Sequence, residues 1–428
     1  MKKNIIGLLF TGLVIGVLTC AGCGNSNLQV GESVEETERA SLNGGGRQLL
    51  DDMSKWELPE SVCDKLYGSG VEISGGEPIV GQDDLIYFSS PKMAKTEAGY
   101  YYLQNEFLWF YDTEKAGSSK VCTKEACQHD DYQCDAYFLS SRFFFHPGLW
   151  VYGDKLYLIG ADEDLTGAAL WSVNLDGTDR HPVTRLFEYA GDYYGEREWI
   201  NAASVHRGYL YYVVDWREEG TAIAVQRVKL ADNAVPESIY TTQDYESAVV
   251  AIKGYGDGIF FQTAYVLDEK KDTWNYPIYY YARDGQCYQV VQAAQRGFNI
   301  IDNKLYYSGL NCVHIYNWET DEDEVFVKTD AYTDISYDSR YIYLDNYPGK
   351  LWDDRQDLEN RTIRVFDYQG NEIVRWNMPG QQYGSCLFGD EKYLWIYGIN
   401  SNSAQWAYPL WAIDKSTIES GESEWFRW

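Results

Sequence analysis

Basic residues are scarce in this 428-residue chain: 36 Lys and Arg stand against 65 Asp and Glu, a formal charge of -29. A surface that acidic repels phosphate backbones, so nucleic acid is not an expected partner. The charge suits a soluble, exposed particle. Histidines number only five and prolines ten. No G-x-S-x-G elbow, H-E-x-x-H pair, P-loop or D-x-[DN]-x-[DN]-G calcium loop occurs, which leaves the common hydrolase, zincin, nucleotide and EF-hand chemistries without a sequence carrier. A long helical period is also missing from the body of the chain.

What the chain has in quantity is aromatic side chains, with 38 Tyr, 15 Trp and 16 Phe, the material of pleated, stacked sheets. They are arranged in a repeat whose clearest copy is Gly153 to Thr178. A strand-like run from Lys155 to Ile159 leads through a polar loop into Leu170 to Leu175 and closes at the turn Asp176-Gly177. Equivalent hairpins start near Gly99, Gly208, Gly258, Lys304, Tyr341 and Lys392. Seven hairpins about 49 residues apart have the period of propeller blades. From the second copy on, a short apolar run precedes each hairpin and another follows it, giving four strands per repeat. The expectation is an all-β fold, a β-propeller of about seven four-stranded blades over residues 77–428. Six or eight blades also fit, because the first repeat is irregular. Pro78 to Ser90 reads as a strand with two assignments, the innermost strand of the first blade or a closing strand on the last.

The N-terminus reads as an address. Lys2 and Lys3 precede an apolar run from Ile5 to Leu18, too short to span a bilayer and followed by small residues, as in an export signal. Ala21-Gly22-Cys23 resembles the lipobox of bacterial lipoproteins, with Cys20 where that family usually has Leu. The resemblance implies a leader over residues 1–22, acylation of Cys23, and a chain exported and lipid-anchored on the outer face of the cytoplasmic membrane. The alternative is an ordinary secreted protein cut nearby. Residues 23–76, rich in Gly, Ser, Glu and Asn, read as a flexible tether.

The sharpest local motif lies between the first two hairpins, where Cys122, Cys127, His129 and Cys134 follow the spacing C-x4-C-x-H-x4-C. Three sulfurs and an imidazole form a Cys3His set suited to a structural zinc. An exported chain also permits a local disulfide, and neither outcome is a third reading. Seven cysteines remain once Cys20 and Cys23 are set aside, so they cannot all pair internally. Around this cluster the chain resembles a group of uncharacterised cell-surface lipoproteins of Gram-positive gut bacteria, predicted to carry TolB-like β-propellers related to the low-density-lipoprotein-receptor type. The likeness rests on GYYYLQNEFLWFYDTE, on VCTKEACQHDDYQCDAYF, and on LDGTDR and HRGYLYY, and runs from about Gly99 to the C-terminus. That family often has Asn-Lys-Pro before its second cysteine and Cys-Asn-Ala at its last; here Thr123-Lys124-Glu125 and Cys134-Asp135-Ala136 stand there. The resemblance implies location and fold and brings no activity.

Candidate ligand-binding residues come from loop asymmetry. Connections between third and fourth strands are short, whereas those between second and third strands are long and carry Trp216, Trp274, Trp352 and Trp406. Carboxylates accompany three of them, at Glu218, Glu219, Asp268, Asp272, Asp353, Asp354 and Asp357. An indole covers the apolar face of a sugar or a peptide side chain while carboxylates accept its hydrogen bonds; equally, each Trp can plug its own loop. Membrane attachment through the anchor and a glycan or protein ligand are therefore the expected partnerships. A carbohydrate-active enzyme, glycosidase or lyase, using carboxylates from separate blades is one alternative. A sensor or assembly partner of an envelope complex is the other. The scattered histidines, His314 within a strand among them, read as structural groups.

Overall fold

The computed structural model describes residues 93–130, 133–138, 148–188, 198–216, 223–242, 247–256, 258–268, 273–282, 285, 287–292, 294–301, 304–309, 311–318, 320, 322–329, 332–338, 340–347, 362–377, 386–389, 392–398, 408–421 and 423–427. They form seven antiparallel sheets, each with strands in simple chain order. Blade 1 is β1 (Met93–Thr96), β2 (Gly99–Gln104), β3 (Phe107–Asp112) and β4 (Gly117–Lys120). Blade 2 is β5 (Leu149–Tyr152), β6 (Lys155–Ala161), β7 (Gly167–Asn174) and β8 (His181–Glu188). Blade 3 is β9 (Glu198–His206), β10 (Tyr209–Trp216), β11 (Ile223–Lys229) and β12 (Glu237–Thr242). Blade 4 is β13 (Ser247–Tyr255), β14 (Gly258–Asp268), β15 (Thr273–Asn275), β16 (Ile278–Tyr281) and β17 (Cys287–Val291). Blade 5 is β18 (Phe298–Ile301), β19 (Lys304–Gly309), β20 (Cys312–Asn317) and β21 (Glu322–Lys328). Blade 6 is β22 (Tyr332–Tyr337), β23 (Ile342–Tyr347), β24 (Thr362–Phe366) and β25 (Glu372–Asn377). Blade 7 is β26 (Cys386–Gly389), β27 (Tyr393–Gly398), β28 (Tyr408–Asp414) and β29 (Phe426–Arg427). Blade 4 is four-stranded in substance: β15 and β16 pair with β14 in the same register from Ile259 to Val266, with a shift before Asp268, and the ladder is interrupted at Tyr276 and Pro277, where proline has no N–H to give it.

The ring follows from the two-residue period of a strand. Successive side chains point to opposite faces, and here each face meets a different neighbour. In blade 3, Leu210, Tyr212 and Val214 pack on blade 2, while Tyr211 and Val213 pack on blade 4. In blade 1, Tyr101 and Leu103 face blade 2, while Tyr100 and Tyr102 face blade 7. The middle strands are therefore apolar on both sides and read as near-continuous aromatic and branched runs. Seven buried clusters result, one at each junction between blades. The seventh closes the circle: Trp395 of β27 meets Tyr100 of β2 edge-on at 4.8 Å between ring centroids.

All four strands of blade 1 come from residues 93–120 and all four of blade 7 from residues 386–427, so among the described residues no strand is exchanged to close the ring. Met93–Thr96 holds the innermost position of blade 1, which removes Pro78 to Ser90 from that role. Pro78 to Ser90 itself lies outside the described residues, as do the leader, Cys23 and the tether. A buried ion pair ties the last two blades: Lys415 Nζ lies 2.6 Å from Asp338 Oδ2, with side chains 5% and 7% exposed. Turns between third and fourth strands repeat one geometry. Gly177 and Gly370 sit at φ 87° and 83°, a left-handed conformation that side chains resist, and each N–H closes a turn onto the residue three before it. Among the described residues, no helix is long and apolar enough to cross a membrane.

Candidate metal centre

The connection from β4 to β5 leaves the outer edge of blade 1 and carries the Cys3His motif. Val121 still pairs with Leu108, its N–H donating to the carbonyl at 2.9 Å, so Cys122 is placed directly by the end of the sheet. A turn follows in which Cys127 N donates to Lys124 O at 3.3 Å, and His129 takes a left-handed φ of 59°. That turn brings the chain back on itself. The ligand atoms of Cys122, Cys127, His129 and Cys134 all lie within 4.8 Å of one another, a group able to hold a metal ion. A tetrahedral ion with bonds of about 2.3 Å to sulfur and 2.0–2.1 Å to nitrogen sets its ligand atoms about 3.5–3.8 Å apart. His129 Nδ1 and Cys134 Sγ are already 3.4 Å apart. The longest separation exceeds the tetrahedral value by about 1 Å, within the reach of small side-chain rotations.

The loop is pinned from several sides. Leu108 N donates to Ala136 O and Phe138 N to Glu106 O, both at 2.7 Å, while Tyr137 Oη donates to Glu106 Oε2 at 2.8 Å. Arg180, from the turn before β8, donates to the carbonyls of Cys134 and Tyr137 and lays its guanidinium over Phe138 and Trp171. The segment is thus wedged between blades 1 and 2, with Cys134, Ala136 and Phe138 buried. Lys120 donates to the carbonyl of His129, and Lys124 donates to that of Gln133 and pairs with Asp135 at 2.8 Å. Three cations therefore flank a group that carries net negative charge once three thiolates hold a divalent ion. Backbone N–H donates to sulfur as well, from His129 to Cys127 at 3.4 Å. Burial opposes ionisation of the Cys122 and Cys134 thiols. At Cys122 it is outweighed by the backbone N–H groups of Lys124 and Asp135, so that thiol falls below its ordinary value. At Cys134 burial wins, joined by the neighbouring thiols, and the value is pushed up to about 12. No disulfide joins Cys122, Cys127 and Cys134 to one another.

Of the loop tryptophans, Trp216 is the last residue of β10, opposite Glu198, and Trp274 lies in β15, opposite Val266. Strand pairing reaches further along these connections than their polar composition suggested. Because strand order is the same in every blade, both positions lie at the second-to-third connections of adjacent blades, on one side of the ring. Trp352, Trp406, Asp353 and Asp354 lie outside the described residues, as do Glu218, Glu219, Asp272 and Asp357. Two histidines are structural, as expected: His181 meets the Asp179 carbonyl at 2.9 Å, and His206 Nε2 meets the Gly256 carbonyl at 2.8 Å. His314 is not a lone structural group, since it sits between Cys312 and Asp323. The available signal was Cys-x-His on a strand, a spacing that puts both side chains on one face.

No protein-family model matches the chain, and no curated protein matches it in sequence. Solved structures resemble it in fold at low identity. A prolyl endopeptidase matches at 12% identity and a TM-score of 0.48 over 78% of this chain, which spans 48% of that one. The β-propeller domain of the Trilobed protease from Pyrococcus furiosus matches at 10% identity and 0.42, covering 80% of this chain and 97% of that one. TolB from Acinetobacter baumannii matches at 12% identity and 0.35, covering 70% and 64%.

Proposed function

We propose that this β-propeller is an exported protein, lipid-anchored through Cys23 on the outer face of the cytoplasmic membrane, that serves as a binding or scaffold module at the cell envelope. Its ligand is a glycan or a peptide met at the second-to-third-strand loops. The observation that carries the reading is the placement of Trp216 and Trp274 at those connections in adjacent blades, with backbones held by pairing to Glu198 and Val266. Rigid sheets presenting variable connections on one side are a common ground for recognition, since the scaffold fixes loops whose sequences are free to differ. The Cys3His group takes a structural zinc, which staples the first inter-blade connection to the ring; all four positions are filled by protein, so there is no open position for substrate.

The test is retention on glycan and peptide arrays by the intact protein and by a variant with Trp216, Trp274, Trp352 and Trp406 all replaced by Ala. The reading expects retention to be lost with the melting temperature unchanged. Equal retention by the variant would remove this face as the binding site.

A further inference from the structure

A second cluster of reactive side chains lies far along the chain from the Cys3His group, in blade 5. Cys312 and His314 are two apart on β20 and so share a face, and Cys312 Sγ lies 3.1 Å from His314 Nε2. The other ring nitrogen, Nδ1, lies 3.2 Å from Asp323 Oδ2 of β21. A register shift between Val313 and His314 sets the position of β21 against the imidazole. Tyr307 of β19 stacks on the ring at 5.0 Å and 15° and donates its hydroxyl to the same Asp323 oxygen at 2.9 Å. His314 and Asp323 are 15% and 8% exposed, while Cys312 remains partly open to solvent. Gly309, opposite Cys312, is required for this approach: a Cβ there would stand 2.6 Å from His314 Cδ2 and 2.7 Å from Nε2.

We propose that Cys312, His314 and Asp323 form a nucleophilic thiol centre that accepts an acyl group from a carbonyl electrophile such as an ester or thioester. Nucleophile, base and orienting carboxylate are each within reach of the next, on opposite nitrogens of one ring, which is the arrangement nucleophilic acyl transfer requires. Asp323 and Tyr307 are positioning residues, fixing the ring so that Nε2 faces sulfur. Burial disfavours charge on His314, but hydrogen bonds and charge from Asp323 and Cys312 override it and push its value up to about 10. Nδ1 faces the Asp323 carboxylate and Nε2 faces the Cys312 sulfur, so a protonated ring has a partner on each side. The titratable groups meeting the imidazole are Cys312 on its own strand, Tyr307 from β19 and Asp323 from β21. In the step itself sulfur attacks the carbonyl carbon and a C–S bond forms. The bond from that carbon to the leaving oxygen or sulfur breaks, and the imidazolium gives its Nε2 proton to the leaving group. The product is a thioester on Cys312 and a free alcohol or thiol.

The full chain is treated with p-nitrophenyl acetate, and in parallel with iodoacetamide between pH 6 and pH 8, and each cysteine is followed by peptide mapping. The expected result is a stoichiometric burst of p-nitrophenol with an acetyl group on Cys312. Cys312 should alkylate faster in the wild-type chain than in His314→Gln throughout that range, because Nε2 is the group placed to take the thiol proton. Cys312→Ser should abolish the burst and His314→Gln should slow it about a hundredfold or more. Asp323→Asn should slow the burst and Asp323→Glu should recover part of it. Acetylation that spares Cys312, a burst equally fast in His314→Gln, or wild-type alkylation no faster than that of His314→Gln would each overturn the proposal. Acetyl mapping of the wild-type chain decides the matter even if His314→Gln fails to fold.

Discussion

Replacing Asp338 by Asn isolates the buried ion pair that joins blades 6 and 7. The carboxylate is fully engaged: Oδ1 accepts the N–H groups of Arg340 at 2.7 Å and Tyr341 at 2.8 Å, and Oδ2 accepts from Tyr343 Oη and Lys415 Nζ, both at 2.6 Å. An amide keeps the volume and can still accept from the backbone, but it strands the Lys415 ammonium among buried groups. Breaking such a pair from one side costs about 3–5 kcal/mol, because the remaining charge has neither partner nor water. With an unfolding entropy of ~2.1 cal/mol/K per residue, a ring of about 330 residues should melt roughly 4–7 °C lower. Adding Lys415→Met removes the stranded charge and should recover most of that loss. The assay is thermal unfolding followed by tryptophan fluorescence for wild type, the single variant and the double. A single variant that melts with the wild type, or a double no better than the single, would refute the reasoning. The same pair gives an acid signature. Burial raises the Asp338 carboxyl, but the Lys415 charge and the hydrogen bonds it receives outweigh burial and hold it below its ordinary value. A depressed carboxylate contributes its full stability above the unfolded value of about 3.9 and loses it as pH falls through the lower, folded value. Wild type should therefore show a component of acid destabilisation below about pH 4 that the Asn variant lacks.

Three further outcomes follow from the fold and from the proposed anchor. Trp395→Ala empties the seam between blades 7 and 1 and should cost about 3–5 kcal/mol, whereas Phe426→Ala, 39% exposed on the outer strand, should be far milder; denaturant titration of both compares them. Gly370→Ala forces a side chain into φ 83° at a tight turn and should cost about 1–2 kcal/mol by the same titration. Cys23→Ser should release the protein from the membrane fraction into the medium and abolish labelling by a radioactive fatty acid; a variant that stays membrane-bound and labelled would contradict the anchor.

Most of the ring was readable in the chain because its middle strands are buried on both faces, which leaves runs such as Tyr209 to Val214 with no polar interruption. The outer strand of blade 2 was readable for the same reason on one face, with Val183, Leu186 and Phe187 buried. Blade 1 was readable only in its central hairpin, since its first strand is only Met-Ala-Lys-Thr and its last, Gly-Ser-Ser-Lys, is largely exposed and has no apolar alternation. The interruption in blade 4 depends on Tyr276 N donating to Ala294 O, a contact between segments that spacing does not reveal. The Cys3His group was legible because its four ligands fall within thirteen residues and a local turn suffices to gather them. By contrast, Asp338 and Lys415 meet across 77 positions, and Asp323 reaches His314 only through the shifted register of β21. These are products of tertiary structure, invisible to a local pattern.

Metal analysis of the intact purified protein, paired with mass-spectrometric counting of alkylated cysteines, bears most directly on the Cys3His centre. The proposed zinc predicts about one metal ion per chain, with Cys122, Cys127 and Cys134 shielded until a chelator is added. A metal-free protein in which those three thiols alkylate at once, or in which any two are joined by a disulfide, would contradict it.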